Sequence, residues 1–455
     1  MRHAVSVQFC QCAVMKTFSL SSVLLLSAIV CSSAAEAPVR VEAVVVSPQW
    51  IDELTAEART NHPALRAADL RADAATWNAA SVPTWEDPMA RFGVMGADRE
   101  RRADDGDLIY GVEQKLPLFG KAQAMRAMVQ AEATTQRHEA MFRSVQLRRD
   151  LHRQALKLAL TERTLELSRE DLVSLELLVT TTEEKYRNGL ATQVEVLTSQ
   201  NERARRSNLV RTDETLLYAE RASLERLLNR STNSNWPKLL LPGAATNLPP
   251  VELMIEHATT MAPQLDVMRG SLRQAELSAR LARTQRMPDV TLGVDARQYS
   301  GSGDFREGVV SAGISLPWGN RSRYAADIKR EQLKAQATQL EIADMQLALR
   351  EEIVRLAAQI ENARREVWLY RDDITPRTEL AVNAARINWL NNRGTLRDVL
   401  DTRRMWIEAR AMEARALAEQ HVMLSELAMH CGVEDLEQLA AKHTQPVPSP
   451  KGTKP

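Results

Sequence analysis

The sequence predicts a mainly α-helical protein with a small β part: long antiparallel coiled-coil helices carrying four β-strands. Three observations predict it. The 455 residues are 26% charged and only 4% aromatic, and the apolar residues are chiefly Ala, Leu and Val; that mixture belongs to long packed helices. Landmarks recur at a fixed offset, so that Pro63, Pro88 and Pro117 return as Pro263, Pro288 and Pro317, each 200 residues later. Each copy also contains two short runs of alternating apolar and polar residues, the period of a strand with two unlike faces.

The repeat organises the chain. His62-Pro63-Ala64-Leu65 answers to Ala262-Pro263-Gln264-Leu265, and Leu116-Pro117-Leu118-Phe119-Gly120 to Leu316-Pro317-Trp318-Gly319. Farther on, Tyr186-Arg187-Asn188-Gly189 followed by Glu195-Val196-Leu197 answers to Trp389-Leu390-Asn391-Asn392 followed by Asp398-Val399-Leu400. A long period present twice means two copies of one unit. Residues 51–230 form the first copy and 251–440 the second, joined by the proline-rich linker 231–250. A Pro- and Lys-rich tail, 441–455, is expected to be disordered.

Within each copy the order reads helix, strand, loop, strand, very long helix, turn, helix. A first helix over 51–80 is closed by Pro83 and Pro88, and strands follow at 88–96 and 108–116. Val290, Leu292, Val294 and Ala296 alternate with polar or small residues, as do Val310, Ala312, Ile314 and Leu316. From 121 to 185 runs an unbroken helical stretch of roughly 65 residues, about 100 Å long at 1.5 Å per residue. The second copy expects helices at 251–285, 321–390 and 395–429, with Pro376 kinking the long one. Helices of that length build a tube rather than a compact domain. Four strands are too few to close a barrel, for which about eight are needed, and an open apolar sheet invites aggregation. The sheet is therefore either covered by helices or shared among subunits, three of which supply twelve strands.

At the N-terminus, Lys16, an apolar run from Phe18 to Cys31 and Ala35-Glu36-Ala37 read as an export signal over 1–37 with cleavage near 35–37. An uncleaved anchor and a lipid-modified Cys31 are the alternatives, and Met15 competes with Met1 as the start. Of four cysteines only Cys431 lies beyond that segment, so the mature chain has no intrachain disulfide to form. Zero net charge gives no footprint for nucleic acid. Phosphate-loop, dinucleotide and nucleophile-elbow motifs are absent, and nothing suggests an enzyme or a cofactor. The chain has sixteen Met and eight His, but no His or Cys pair has ligand spacing, so no metal site is expected.

From about residue 51 to 440 the order and spacing of these features resemble the TolC family of outer-membrane efflux proteins. The strand exits Leu116-Pro117-Leu118-Phe119-Gly120-Lys121 and Leu316-Pro317-Trp318-Gly319-Asn320 and the two tip stretches carry the likeness. The first exit is similar to that of the heavy-metal efflux branch. The resemblance implies a homotrimer in the outer membrane of a Gram-negative bacterium, with a twelve-stranded barrel over a twelve-helix periplasmic tunnel. Such a duct passively conducts substrates, metal cations among them, received from an inner-membrane pump of the RND type through a periplasmic adaptor. A type I protein-secretion duct and a non-pore periplasmic coiled-coil scaffold are the alternatives.

The resemblance also places Asp398 and Asp401 at the pore constriction, where rings of acidic side chains favour cations. Against that stands a simpler role, since Thr395-x-x-Asp398 and Thr192-x-x-Glu195 both have capping-box spacing. Tyr186, Asn188, Gly189, Glu195, Trp389, Asn391 and Asn392 fall at the tip where the adaptor docks. In related tips a tyrosine and an arginine tie the tunnel shut; here Trp389 lacks the hydroxyl and Arg393 and Arg397 only approximate the base. Tyr110, Phe119, Trp318 and Tyr324, near strand ends, are candidates for a membrane-interface girdle.

Overall fold

The computed structural model describes residues 43–96, 107–232, 236–245, 248–299, 302–436 and 439. The expected signal segment, the tail and most of the 97–107 loop lie outside the described residues. Two copies of one unit follow each other, as the repeat requires. In the first, α1 (Pro48–Asn61) and α2 (Pro63–Ser81) lead to β2 (Met89–Met95) and β3 (Asp107–Leu116), then to α3 (Lys121–Arg187) and α4 (Gln193–Leu228). In the second, α5 (Val251–Met261) and α6 (Pro263–Gln285) lead to β5 (Val290–Tyr299) and β6 (Phe305–Ile314). Then come α7 (Arg321–Trp368), α8 (Thr375–Leu390) and α9 (Leu396–Cys431).

Each expected leading helix is two helices. Pro63 and Pro263 occupy the first helical position of α2 and α6, and the residues before them, His62 and Ala262, are extended at ψ 120° and 127°. Proline has no N–H to continue the ladder and pushes its predecessor out of the helical region, so the helix ends and restarts. The long second-copy helix is also interrupted, because Leu369–Ile374 is a π-helical segment between α7 and α8. The kink expected at Pro376 takes that form: a wider turn upstream absorbs the missing donor.

The linker is more than a connector. A short strand ahead of α1, β1 (Ala43–Val45), pairs in parallel with β4 (Lys238–Leu240). The backbone N–H of Leu239 donates to Glu162 Oε2 at 2.5 Å, and Lys238 pairs with Glu166 at 3.1 Å. The linker is thereby held against α3. Neither strand has an alternating run long enough to announce itself.

Packing repeats with the sequence. Leu54, Ala58 and Leu65 are buried beside Leu151, Leu156 and Leu224, while Met254 and Ala258, their counterparts, are buried beside Ile353, Leu356 and Leu427. The four-stranded sheet has the order β2-β3-β5-β6, antiparallel throughout. The helices attached to those strands pack in the same sequence, α2 on α3, α3 on α6 and α6 on α7. One continuous row thus passes from strands into helices.

Candidate functional site

Two regions concentrate the functional side chains, the sheet and the paired helix tips. On the sheet, register sets Phe92 beside Tyr110 and Ala296, and Ala90 beside Val112, Val294 and Val310. This face is apolar and uncovered: Phe92 is 85% and Val310 79% exposed. The opposite face carries Arg91, which pairs with Glu113 at 3.2 Å and Asp295 at 3.0 Å, and Arg297, which pairs with Glu307 at 2.8 Å. At its base Asp289 meets Lys121 at 2.8 Å, and Lys115 meets Glu86 at 2.7 Å. Gly111 makes room for the first cluster, since a Cβ there would lie 2.0 Å from Asp295 Oδ1. A sheet with a bare apolar face and a charged, self-paired face suits lipid outside and water inside. The outer edges of β2 and β6 have no strand partner among the described residues.

No helix among the described residues is long and apolar enough to cross a membrane. The helix row ends in two uncovered apolar seams. On α7, Leu333, Leu340, Leu347 and Val354 recur every seventh residue and are exposed; on α2, Leu70 and Trp77 do the same. Seven-residue spacing is that of a coiled-coil seam awaiting a partner helix.

The four girdle candidates do not share a level. Phe119 and Trp318 are exposed in short 3-10 turns directly after the strands, and Tyr324 is in the first turn of α7. Tyr110 lies six residues up β3 from Leu116, about 20 Å away at 3.3 Å per residue, toward the far end of the sheet. Phe119 and Gly120 both have positive φ, 59° and 71°, and turn the chain from strand into helix.

The tips are built twice from the same local chemistry. In the first, Gly189 and Leu190 donate N–H bonds to Tyr186 O at 3.0 Å and Lys185 O at 2.8 Å. In the second, Asn392 and Arg393 donate to Trp389 O at 3.1 Å and Asn388 O at 2.8 Å. Gly189 and Asn392 are the left-handed residues, φ 71° and 56°, and asparagine tolerates that conformation nearly as well as glycine. Both capping boxes are present: Thr192 with Glu195, and Thr395 with Asp398. The hydroxyl and N–H of Thr395 hold the Asp398 carboxyl below its usual range, with Arg397 adding to the effect. Asp401 is exposed and flanked by Arg397 at 3.6 Å and Arg404 at 3.8 Å.

Tyr186, Asn188, Gly189, Asn391 and Asn392 are exposed at the tips, and Glu195 is half-buried. Trp389 is not on the surface. It is 3% exposed and packs with Leu175, Leu178, Leu396, Val399 and Leu400, so its ring forms the core of the tip and is not presented to a partner. Sequence reasoning missed Lys185, whose ammonium donates to Trp389 O at 2.5 Å and lies 4.6 Å above the indole centroid. It ties the first tip to the second. A lysine in the last turn of α3 satisfies helix-end carbonyls in any case, so no sequence signal marked this one.

Residues 254–432 match the family model for the outer membrane efflux protein. Over that stretch the chain is similar to outer membrane efflux proteins. The matched residues cover most of the second repeat, and the first repeat duplicates its fold. Among solved structures, the outer-membrane channel OprN is 17% identical with a TM-score of 0.73, over 84% of this chain and 89% of that one. The outer membrane protein VceC from Vibrio cholerae is 17% identical with a TM-score of 0.71, over 85% and 96%. CusC is 14% identical with a TM-score of 0.74, over 85% and 92%. At these identities the likeness establishes the fold. No curated protein sequence matches the chain significantly.

Proposed function

We propose that three copies of this chain form the outer-membrane exit duct of a tripartite efflux system. The observation that carries the proposal is the sheet: an exposed apolar face, an ion-paired opposite face and two edges unpaired among the described residues, continuing strand for helix into a single row. Three such sheets joined edge to edge give twelve strands with lipid outside and a polar lumen inside. The exposed seams on α2 and α7 lie at the two ends of the row, where neighbouring copies meet.

The duct is passive. Cargo, metal cations included, enters at the helix tips from an RND-type inner-membrane pump through a periplasmic adaptor. The adaptor docks on the exposed tip residues Tyr186, Asn188, Gly189, Asn391 and Asn392, with Glu195 and Trp389 shaping the tips from within. Asp398 and Asp401 line the constriction in this proposal. The capping role of Asp398 is compatible with that, since only one of its carboxylate oxygens is engaged. Phe119, Trp318 and Tyr324 sit at the periplasmic interface of the membrane, and Tyr110 toward the outer one.

Single-channel recording of the purified protein in a planar bilayer tests this reading. Discrete, trimer-sized conductance is expected, with a cation preference that falls in Asp398→Ala/Asp401→Ala. An unchanged preference would leave the two aspartates as capping and ion-pairing residues only. A protein that neither trimerises nor inserts would sink the duct.

A further inference from the structure

Between α2 and α3, below the base of the sheet, lies a groove of about 530 Å³ lined by Thr76, Ala80, Arg126, Gln130, Thr134 and Arg137 among others. It holds two arginines and no carboxylate. Arg126 Nη2 donates to Val82 O at 2.9 Å and Thr84 Oγ1 at 2.7 Å, and Arg137 Nη2 donates to Thr76 Oγ1 at 3.2 Å. These are neutral partners, and among the described residues neither guanidinium is ion-paired.

The groove also faces outward. Lys121, in the first turn of α3, reaches Asp289 on the charged, lumen side of the sheet. At about 100° per residue, Arg126, Gln130, Thr134 and Arg137 lie round the far side of that helix from Lys121. Along the axis Arg126 is about 8 Å below the start of α3, the depth of a headgroup layer beneath a barrel whose strands span the apolar band, and Arg137, about 24 Å below it, marks the lower end of the groove. Trp85, next to the Thr84 that Arg126 holds, is exposed at the same level, where indoles favour the membrane interface.

We propose that this groove seats the phosphate of a phospholipid headgroup from the periplasmic leaflet, a site that rests on the outer-membrane placement proposed above. Planar guanidiniums bind phosphate oxygens through paired, charge-assisted bonds, and the Gln130 side-chain amide supplies a further donor. The acyl chains then run upward along the apolar outer face of the sheet.

The test is native mass spectrometry of the detergent-purified protein loaded with phosphatidylglycerol, with diacylglycerol as the same lipid lacking phosphate. Phosphatidylglycerol should be retained over diacylglycerol, up to one molecule per protomer. Arg137→Gln, which removes a single threonine contact, should weaken retention about tenfold, and Arg126→Gln/Arg137→Gln should abolish it. Millimolar inorganic phosphate should not displace the lipid; displacement would assign the groove to a free anion and overturn the lipid. Equal retention of both lipids, or equal retention by wild type and double variant, would overturn the headgroup site. If both proteins conduct current while retaining lipid equally, only this site falls. If neither inserts, the duct falls and the site with it.

Discussion

Arg403 on α9 donates its guanidinium to the buried carboxylate of Asp171 on α3, and its Nη2 also reaches the Asp171 carbonyl at 2.7 Å. Arg206 of α4 pairs with the same carboxylate from the other side, and Asp171 is 3% exposed. One acid thus joins three helices, two from the first repeat and one from the second. Removing a single partner from a buried pair leaves an uncompensated charge. Asp171→Ala, which strands two arginines, should cost about 3 kcal/mol of stability by thermal or denaturant unfolding. Arg403→Ala should cost less, because Arg206 stays. Equal and negligible effects would show the triad to be solvated in the assembled protein.

Leu340 lies in the middle of the α7 seam and is 72% exposed in the protomer. Leu340→Asp should leave helix content intact while preventing the protomers from assembling, since each copy loses about 2 kcal/mol of apolar burial and buries a charge instead. Circular dichroism and sedimentation together check this. A fully assembled variant would place the subunit contact elsewhere.

His152 is pushed down to about 3 by burial, with the charges of His421 and Arg148 acting in the same direction. Its ring stays neutral in the fold while the unfolded ring takes a proton near pH 6.5. Stability from this residue is therefore complete above pH 6.5 and drains as pH falls from 6.5 toward 3, by up to about 1.4 kcal/mol per pH unit. Burial lowers His421 and His430 as well, adding to the slope. Melting temperatures at pH 7.5, 6 and 5 should fall for the wild type and less steeply for His152→Leu. Parallel slopes would assign the acid sensitivity to other groups.

Cys431 closes α9 fully buried, and burial pushes its thiol up to about 12. A maleimide at neutral pH should label it only after unfolding, because the thiolate is the reactive form. Rapid labelling of the folded protein would mean that the end of α9 opens locally.

Thr395 accepts from the N–H of Asp398 at 3.2 Å at the start of α9. Thr395→Ala should destabilise the tip by about 1 kcal/mol, read as faster amide exchange over the first turn of α9. Unchanged exchange would mean that packing of Leu396 and Val399 alone holds that turn.

Much of the tip was legible in advance. The capping boxes are spacings of three residues, and the turns before them repeat at Gly189 and Asn392, so their chemistry is complete within a few neighbours. The alternating runs likewise announced the sheet, because side-chain direction in a strand follows a period of two. Trp389 was placed at the tip but not inside it: which side of a helix end is buried depends on what packs there. The π-helical turn at Leu369–Ile374, at the far end of α8 from the tip, was also invisible, since proline predicts a disturbance without specifying how the backbone absorbs it.

The sequence alone determined the tandem repeat, the order of helices and strands, the two-faced character of each strand and the capping of each tip. All of these are set by neighbours along the chain. The tertiary structure decided what lies far apart in sequence: β1 against β4, Lys185 over Trp389, and Asp171 between Arg206 and Arg403. It also decided which arginines found carboxylates among the described residues and which, like Arg126 and Arg137, did not. Such contacts depend on how the helices lie against one another across the repeats, and no local spacing encodes that.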